Sequence, residues 1–326
     1  MIVPNHWAEA RRQHKTSSKQ ITVRRFGWSL ESEAEAQAMA EQRANEALTD
    51  LLSGRQLDRR EKKAAYNGAD GVPIREEVLT RLGETVITRN AYGAHCLNTP
   101  HVLFADIDFA SNVPRRWTAW SMAVLLTTSL MAGLWMQSAS VALVGAFASL
   151  LLAYALAASA HAIWVATQGG REAMARRRLN AYLTQHPLWG VRVYRTPAGL
   201  RVLATHQTFR ADAPEAQEFF SAVGADPRYV RMCINQRCFR ARLTAKPWRI
   251  GVRAHMRPRP GIWPVNPEHL PVREAWIERY EAQARAFSAC RFVESLGSAT
   301  EHIDVMPVVE LHDRETRALR QGMPIA

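Results

Sequence analysis

An uncharged run over residues 117–166 constrains the fold of this chain more than any other feature. It is longer than the roughly 20 residues one helix needs to cross a bilayer. A natural break lies at "MQSAS" (136–140), so the run predicts two transmembrane helices, 117–136 and 140–166, joined by a tight turn. Trp117, Trp120, Trp135 and Trp164 fall near the ends, where interfacial aromatics collect. Ala, Gly and Ser are frequent in the second helix and permit close helix packing. Arg115 and Arg116 precede the first helix; Arg171, Arg176, Arg177 and Arg178 follow the second. The positive-inside rule then places both termini in the cytoplasm of a bacterial-type inner membrane. Two short helices leave little room for a substrate path unless the protein is a homo-oligomer, which argues against a transporter or channel. His161, inside the second span, reads either as part of a proton path or as a neutral interfacial side chain.

This topology puts residues 1–112 and 171–326 on one side, where they can fold together around the hairpin. The expected divisions are an N-terminal helical and extended segment (1–98), a first core strand (99–112), the hairpin (113–170), the rest of the core (171–250) and a Pro-rich extension with a helix (251–326). Within 29–53 a helix is expected from Ser32 and Glu35 as a capping box, an apolar stripe of Leu48, Leu51 and Leu52, and Gly54 as a stop. A charged, turn-rich loop should follow over 55–73, then a short helix at "IREEVLTRLG" and a strand at "TVITR".

"HVLFADIDF" (101–109) is the clearest strand. Side chains alternate faces along a strand, so Val102, Phe104, Asp106 and Asp108 share one face and Leu103, Ala105, Ile107 and Phe109 the other. After the hairpin come a helix ("GREAMARRRLNAYLTQ"), two strands around the turn "TPAG", a helix with an early Pro and late Gly ("DAPEAQEFFSAVGAD"), and a strand ("RCFRARL"). The order is that of a βαββαβ, ferredoxin-like α+β domain, with the first strand between the third and fourth. The Asp face and the face carrying Arg240 and Arg242 would then be neighbours on the uncovered side of the sheet. Further on, a helix is expected over 272–289, and a late edge strand at "HIDVMPVVELHD" with Pro307 inside it.

The chain holds 42 Lys+Arg against 30 Asp+Glu, a net charge of +12. That balance suits anionic partners, whether phosphate, nucleotide, nucleic acid or acidic membrane lipid. "VRRFGW" (23–28) mixes base and aromatic residues as nucleic-acid surfaces do, and also as a core-facing strand with solvated arginines does. Cys96, Cys233, Cys238 and Cys290 are too dispersed for a zinc site and suit a reducing compartment. His95, Cys96 and His101 supply too few clustered ligands for a metal. The N-terminal stretch "MIVPNHWAEARRQHK" has no apolar core of a cleavable signal.

Two carboxylates at i and i+2 on a strand can hold Mg²⁺ or Mn²⁺, which in turn clamps phosphates. Asp106 and Asp108 are therefore candidate metal ligands, and Arg240, Arg242, Lys246 and Arg249 candidate phosphate contacts. The competing reading pairs Asp106 and Asp108 with Arg240 and Arg242 across strands as a structural ion cluster. The D-x-D strand end and the "RTPAG" turn (195–199) resemble the palm domain of the archaeo-eukaryotic primase and primase-polymerase superfamily over about 99–250. That resemblance implies Asp106 and Asp108 as metal ligands of a nucleotidyltransferase. Where that family has a histidine after the Gly turn, this chain has Leu200, Arg201 and Val202, and its nearest histidine is His206. No third acidic ligand stands out in the later strands. The whole chain also resembles uncharacterised bacterial two-span membrane proteins. Two functions are thus expected: a membrane-held phosphate- or nucleotide-binding or structural module, or a divergent metal-dependent nucleotidyltransferase.

Overall fold

The computed structural model describes residues 3–17, 20–61, 72–109, 113–259 and 261–326. The chain begins with a hairpin of β1 (His6–Lys15) and β2 (Gln20–Ser29), crossed by helix α1 (Glu33–Leu52). Ser32 caps α1 by accepting from the Glu35 amide at 3.2 Å, as the capping box requires. The buried stripe of α1 is Ala36, Ala40, Ala44 and Ala47, not the expected leucines; Leu52 is exposed. The reason is proximity. A Cβ at Gly27 of β2 would stand 2.1 Å from the Ala36 carbonyl oxygen, so only small side chains fit between helix and hairpin.

Next come β3 (Glu77–Leu82), β4 (Thr85–Arg89) and β5 (His95–Thr99). The helix expected at "IREEVLTRLG" is therefore strand β3, because Gly83, at φ +56°, turns it into a tight antiparallel hairpin with β4. Of the loop expected over 55–73, residues 62–71 lie outside those described, and 55–58 carry no regular structure. Strand β6 (Phe104–Asp108) carries the aspartates and leads into α2 (Arg115–Trp135) and α3 (Ala139–Thr167). These two helices are long and apolar enough to cross a membrane. Only 11% and 17% of their most apolar windows are buried, so neither resembles the core helix of a soluble domain. They pack on each other through small residues: Ser149, Ala153, Ala157 and His161 are the buried positions of α3, and the Ser129 and Ser149 hydroxyls meet at 3.3 Å. Trp120, Leu134, Leu143 and Phe147 point outward.

Helix α4 (Gly170–Gln185) follows almost directly, then β7 (Gly190–Arg195), β8 (Gly199–Ala204), α5 (Pro214–Val223), α6 (Pro227–Gln236) and β9 (Phe239–Arg242). The chain ends with α7 (Leu270–Ala284), β10 (Arg291–Gly297) and α8 (Met306–Thr316). Of residues 302–313, expected as an edge strand, 306–313 are thus helical. Pro307 sits in the first turn, where its missing amide costs nothing, and the edge position is taken by β10.

The architecture is mixed α+β. Besides the β1–β2 hairpin the described residues form two four-stranded sheets, ordered β10-β7-β8-β6 and β3-β4-β5-β9. Three strands of the expected βαββαβ unit stand in the expected order, β6 beside β8 beside β7. The fourth, β9, ladders with β5 instead and only approaches β6. Two side chains occupy that seam. The Tyr229 hydroxyl donates to the Phe104 carbonyl at 2.9 Å and accepts from the Arg240 amide at 3.3 Å. Arg201 donates to the Arg242 carbonyl at 3.0 Å. The apolar faces still share one core: Leu103, Ile107, Phe239 and Leu243 are buried in a single cluster with Leu179, Phe219 and Phe220.

Candidate functional site

The two sheets meet around a cavity of about 610 Å³. Asp106 and Asp108 of β6 line one side; Arg240 and Arg242 of β9, with Lys246 and Arg249 beyond it, line the other. The fold thus brings together all six residues singled out in the sequence. It does not pair them as expected.

Asp106 is held by Arg201 on β8, directly opposite it in the ladder. Arg201 Nε reaches Oδ1 at 2.7 Å and Nη2 reaches Oδ2 at 3.1 Å, a bidentate fork. Arg201 is 3% exposed; burial opposes its charge, but Asp106 outweighs burial and holds its pKa above the ordinary value. Close approach of the strands is set two positions on, at Asp108 opposite Gly199. A Cβ at Gly199 would lie 1.9 Å from the Ile107 carbonyl oxygen. Arg240 faces a different acid. Its Nη2 donates to both Glu76 carboxylate oxygens, at 2.9 and 2.8 Å, and its Nη1 to Asn98 Oδ1 at 3.0 Å, all of them buried. The structural Asp–Arg cluster therefore resolves into two separate pairs, Asp106–Arg201 on neighbouring strands and Glu76–Arg240 across the second sheet, where Arg240 also meets Asn98 of β5.

Asp108 makes no ion pair among the described residues. It opens onto the cavity, and its carboxyl is pushed up by partial burial, then by Asp106 and Asp226. Asp226 is the third acid that the sequence did not disclose. Its amide donates to the Asp106 carbonyl at 2.9 Å and its side chain caps α6. The sequence "DPRYVRM" carries the signal, an N-cap Asp followed by Pro; the same helix brings Tyr229 and Met232 to the cavity. On the opposite wall Arg242 donates to the carbonyls of Thr244 and Ala326. Lys246 and Arg249 are half-buried and have no carboxylate partner within ion-pair distance among the described residues. Burial pushes both down, and so does the neighbouring Arg242. Tyr92 and Ile262 add an apolar edge.

Among the described residues no three His, Cys, Asp or Glu side chains are grouped to hold a metal ion by themselves; His95, Cys96 and His101 do not form a centre, and His95 instead meets Glu281 at 3.1 Å. His206 lies away from the cavity, its ring 4.6 Å from that of Trp189. All four cysteines are free and buried. Comparison of the chain with protein-family models, curated proteins and solved structures yields no match.

Proposed function

We propose that this protein binds a phosphate ester, a nucleotide foremost, at a cytoplasmic site held to the bacterial inner membrane by the α2–α3 hairpin. The observation that carries the reading is a set of charged groups in one cavity that have no ion-pair partner among the described residues. Arg242, Lys246 and Arg249 stand on one side, and Asp108 and Asp226 on the other, where Arg228 of α6 also lines the space. Like charges held together unsatisfied are relieved by a ligand that is anionic at one end and brings a cation to the other. A phosphate with Mg²⁺ or Mn²⁺ does both. Mg²⁺ is usually bound by one or two carboxylates, with phosphate oxygens and waters completing its shell, so Asp108, with Asp226 beside it, suits such a half-site. The cavity volume of about 610 Å³ falls in the range of small-molecule pockets.

The placement of Asp226 beside the D-x-D strand favours a second reading, divergent nucleotidyl transfer of the primase-polymerase kind, in a βαββαβ unit whose last strand has moved to the adjoining sheet.

Calorimetric titration of the full chain in detergent tests the first reading. ATP should bind, more tightly with Mg²⁺, and Lys246→Gln with Arg249→Gln should weaken it about 10- to 100-fold, the loss expected from one or two charge-assisted hydrogen bonds. Absence of binding by nucleotides and by inorganic phosphate would refute it. Metal-dependent release of pyrophosphate from nucleoside triphosphates, lost in Asp108→Asn, would establish the second.

A further inference from the structure

A second cavity, of about 210 Å³, adjoins the first. Asp108 lines both. The other walls of the second cavity come from the end of β6, the last turns of α3 (His161, Trp164, Val165) and the first turns of α4 (Arg171, Met174, Arg178). Trp164 in turn lines a third hollow of about 350 Å³, with Arg116, Trp117 and Trp120 of α2, on the outer surface of the hairpin. The three spaces therefore adjoin in a row at shared lining residues, Asp108 and then Trp164. They lead from the basic and acidic groups of the large cavity to the flank of the helices that are apolar enough for a bilayer.

The character of the lining changes along this route. At the inner end stand Lys246 and Arg249. In the middle, Arg171 is tied to the Phe109 carbonyl at 3.0 Å, while Arg178, packed beside Gly224, has no ion pair among the described residues. At the outer end the walls are tryptophan rings, with Trp117 and Trp164 centroids 6.0 Å apart. A row of hollows with Lys246 and Arg249 at its inner end, arginines in its middle and interfacial tryptophans at its outer end matches an amphiphile with an anionic phosphate head, a cation at Asp108 offsetting the carboxylate there. A water-soluble ligand has no use for the apolar exit.

We infer that the ligand of the large cavity is a membrane lipid bearing a phosphate or pyrophosphate head, which enters laterally past Trp164 and Arg178 with its chain left along α2 and α3. This inference rests on the proposed phosphate site and on the membrane placement of the hairpin, and adds the lipid chain.

Thermal-shift and calorimetric titrations of the full chain in detergent separate the sources of phosphate. The probes are dihexanoyl phosphatidic acid, glycerol 3-phosphate, and dihexanoyl phosphatidylcholine. Phosphatidic acid should bind at least tenfold more tightly than glycerol 3-phosphate, the gain expected from about two buried methylenes, and phosphatidylcholine should bind weakly. Trp164→Ala and the cavity-filling Val165→Trp should bring phosphatidic acid to the level of glycerol 3-phosphate without altering the latter. Since Trp164→Ala removes part of the hairpin contact, Val165→Trp keeps the test decisive if that variant does not fold. Equal affinity for the two phosphates, unaffected by Val165→Trp, would overturn the lipid inference while leaving the phosphate site standing. Failure of both to bind while ATP still binds would overturn the lipid inference alone, and failure of ATP and inorganic phosphate as well would overturn site and inference together.

Discussion

Asp106→Asn and Asp108→Asn, made separately, distinguish two carboxylates that are adjacent on one strand face. Arg201 is buried at 3% exposure, and its charge is met by Asp106 through two hydrogen bonds. Asn offers one acceptor and no charge, leaving the guanidinium with the Arg242 carbonyl and His312 as its remaining contacts. Breaking a buried pair by removing one partner typically costs about 3–5 kcal/mol. The Asp106 side chain is 29% exposed, so water offsets part of this and about 3 kcal/mol is expected. That corresponds to a fall of roughly 6–12 °C in Tm. Asp108→Asn removes no ion pair and relieves repulsion from Asp106 and Asp226, so stability should hold or rise. The two variants should also differ with pH. The folded-state pKa of Asp108 is raised, so the folded state binds the proton more tightly and the ionised carboxylate costs stability once pH rises through that pKa. The advantage of Asp108→Asn should be present at neutral pH and vanish in acid, where the wild-type group is itself protonated. Urea unfolding in detergent, followed by tryptophan fluorescence, measures both. A loss below about 1 kcal/mol for Asp106→Asn, or an equal loss for both variants, would refute the assignment of Asp106 to the frame and Asp108 to the cavity.

Three further outcomes are expected. Glu281 is held at about 2 by its hydrogen bond to His95, against burial, and by Arg89; its contribution is present above the ordinary carboxylate pKa and lost as pH falls toward about 2, so Glu281→Gln should flatten the acid limb of the stability profile, and an unchanged limb would count against the pairing. The four buried thiols, with burial pushing Cys238 up to about 12 and Cys290 to about 11, should not react with a thiol reagent at pH 8 until the chain is unfolded; rapid labelling of the native protein would contradict their burial. Reporter fusions at the two termini should both register in the cytoplasm, and one on the outer side would remove the basis for a single domain split by a hairpin.

Elements dictated by local periodicity were legible in the sequence. The two apolar helices begin and end within two residues of their expected bounds, and Pro214 with Gly224 marks α5. The failures have a common origin in long-range pairing. Strand β3 reads as a helix because its acidic start resembles a first turn, and only its ladder with β4 makes it a strand. Residues 302–313 read as a strand, yet 306–313 fold into α8 because β10 already covers the β7 edge. The site divides the same way. Asp106, Asp108, Arg242, Lys246 and Arg249 could be named from two short segments. Arg201 lies in a strand buried on both faces, and Glu76 lies 164 positions from Arg240, so neither partner has a local signature.

The cavity itself follows from the strand that did not join. Had β9 laddered on β6, directly opposed side chains would stand with Cβ atoms about 4.5–5.5 Å apart. Arginines of β9 and aspartates of β6 could then have neutralised each other, as the competing reading of the sequence supposed. Tyr229 and Arg201 prevent this by filling the seam with a hydroxyl and a guanidinium. Burial pushes the Tyr229 phenol well up, so it remains a donor to Phe104. Arg201 is kept charged by Asp106. Each wall is then neutralised from behind, Asp106 by Arg201 and Arg240 by Glu76, while the groups at the rim, Asp108 on one side and Lys246 and Arg249 on the other, face the space between. A pair of sheets joined by a ladder would have spent these charges on each other; joined by a tyrosine and an arginine, they leave them facing the cavity.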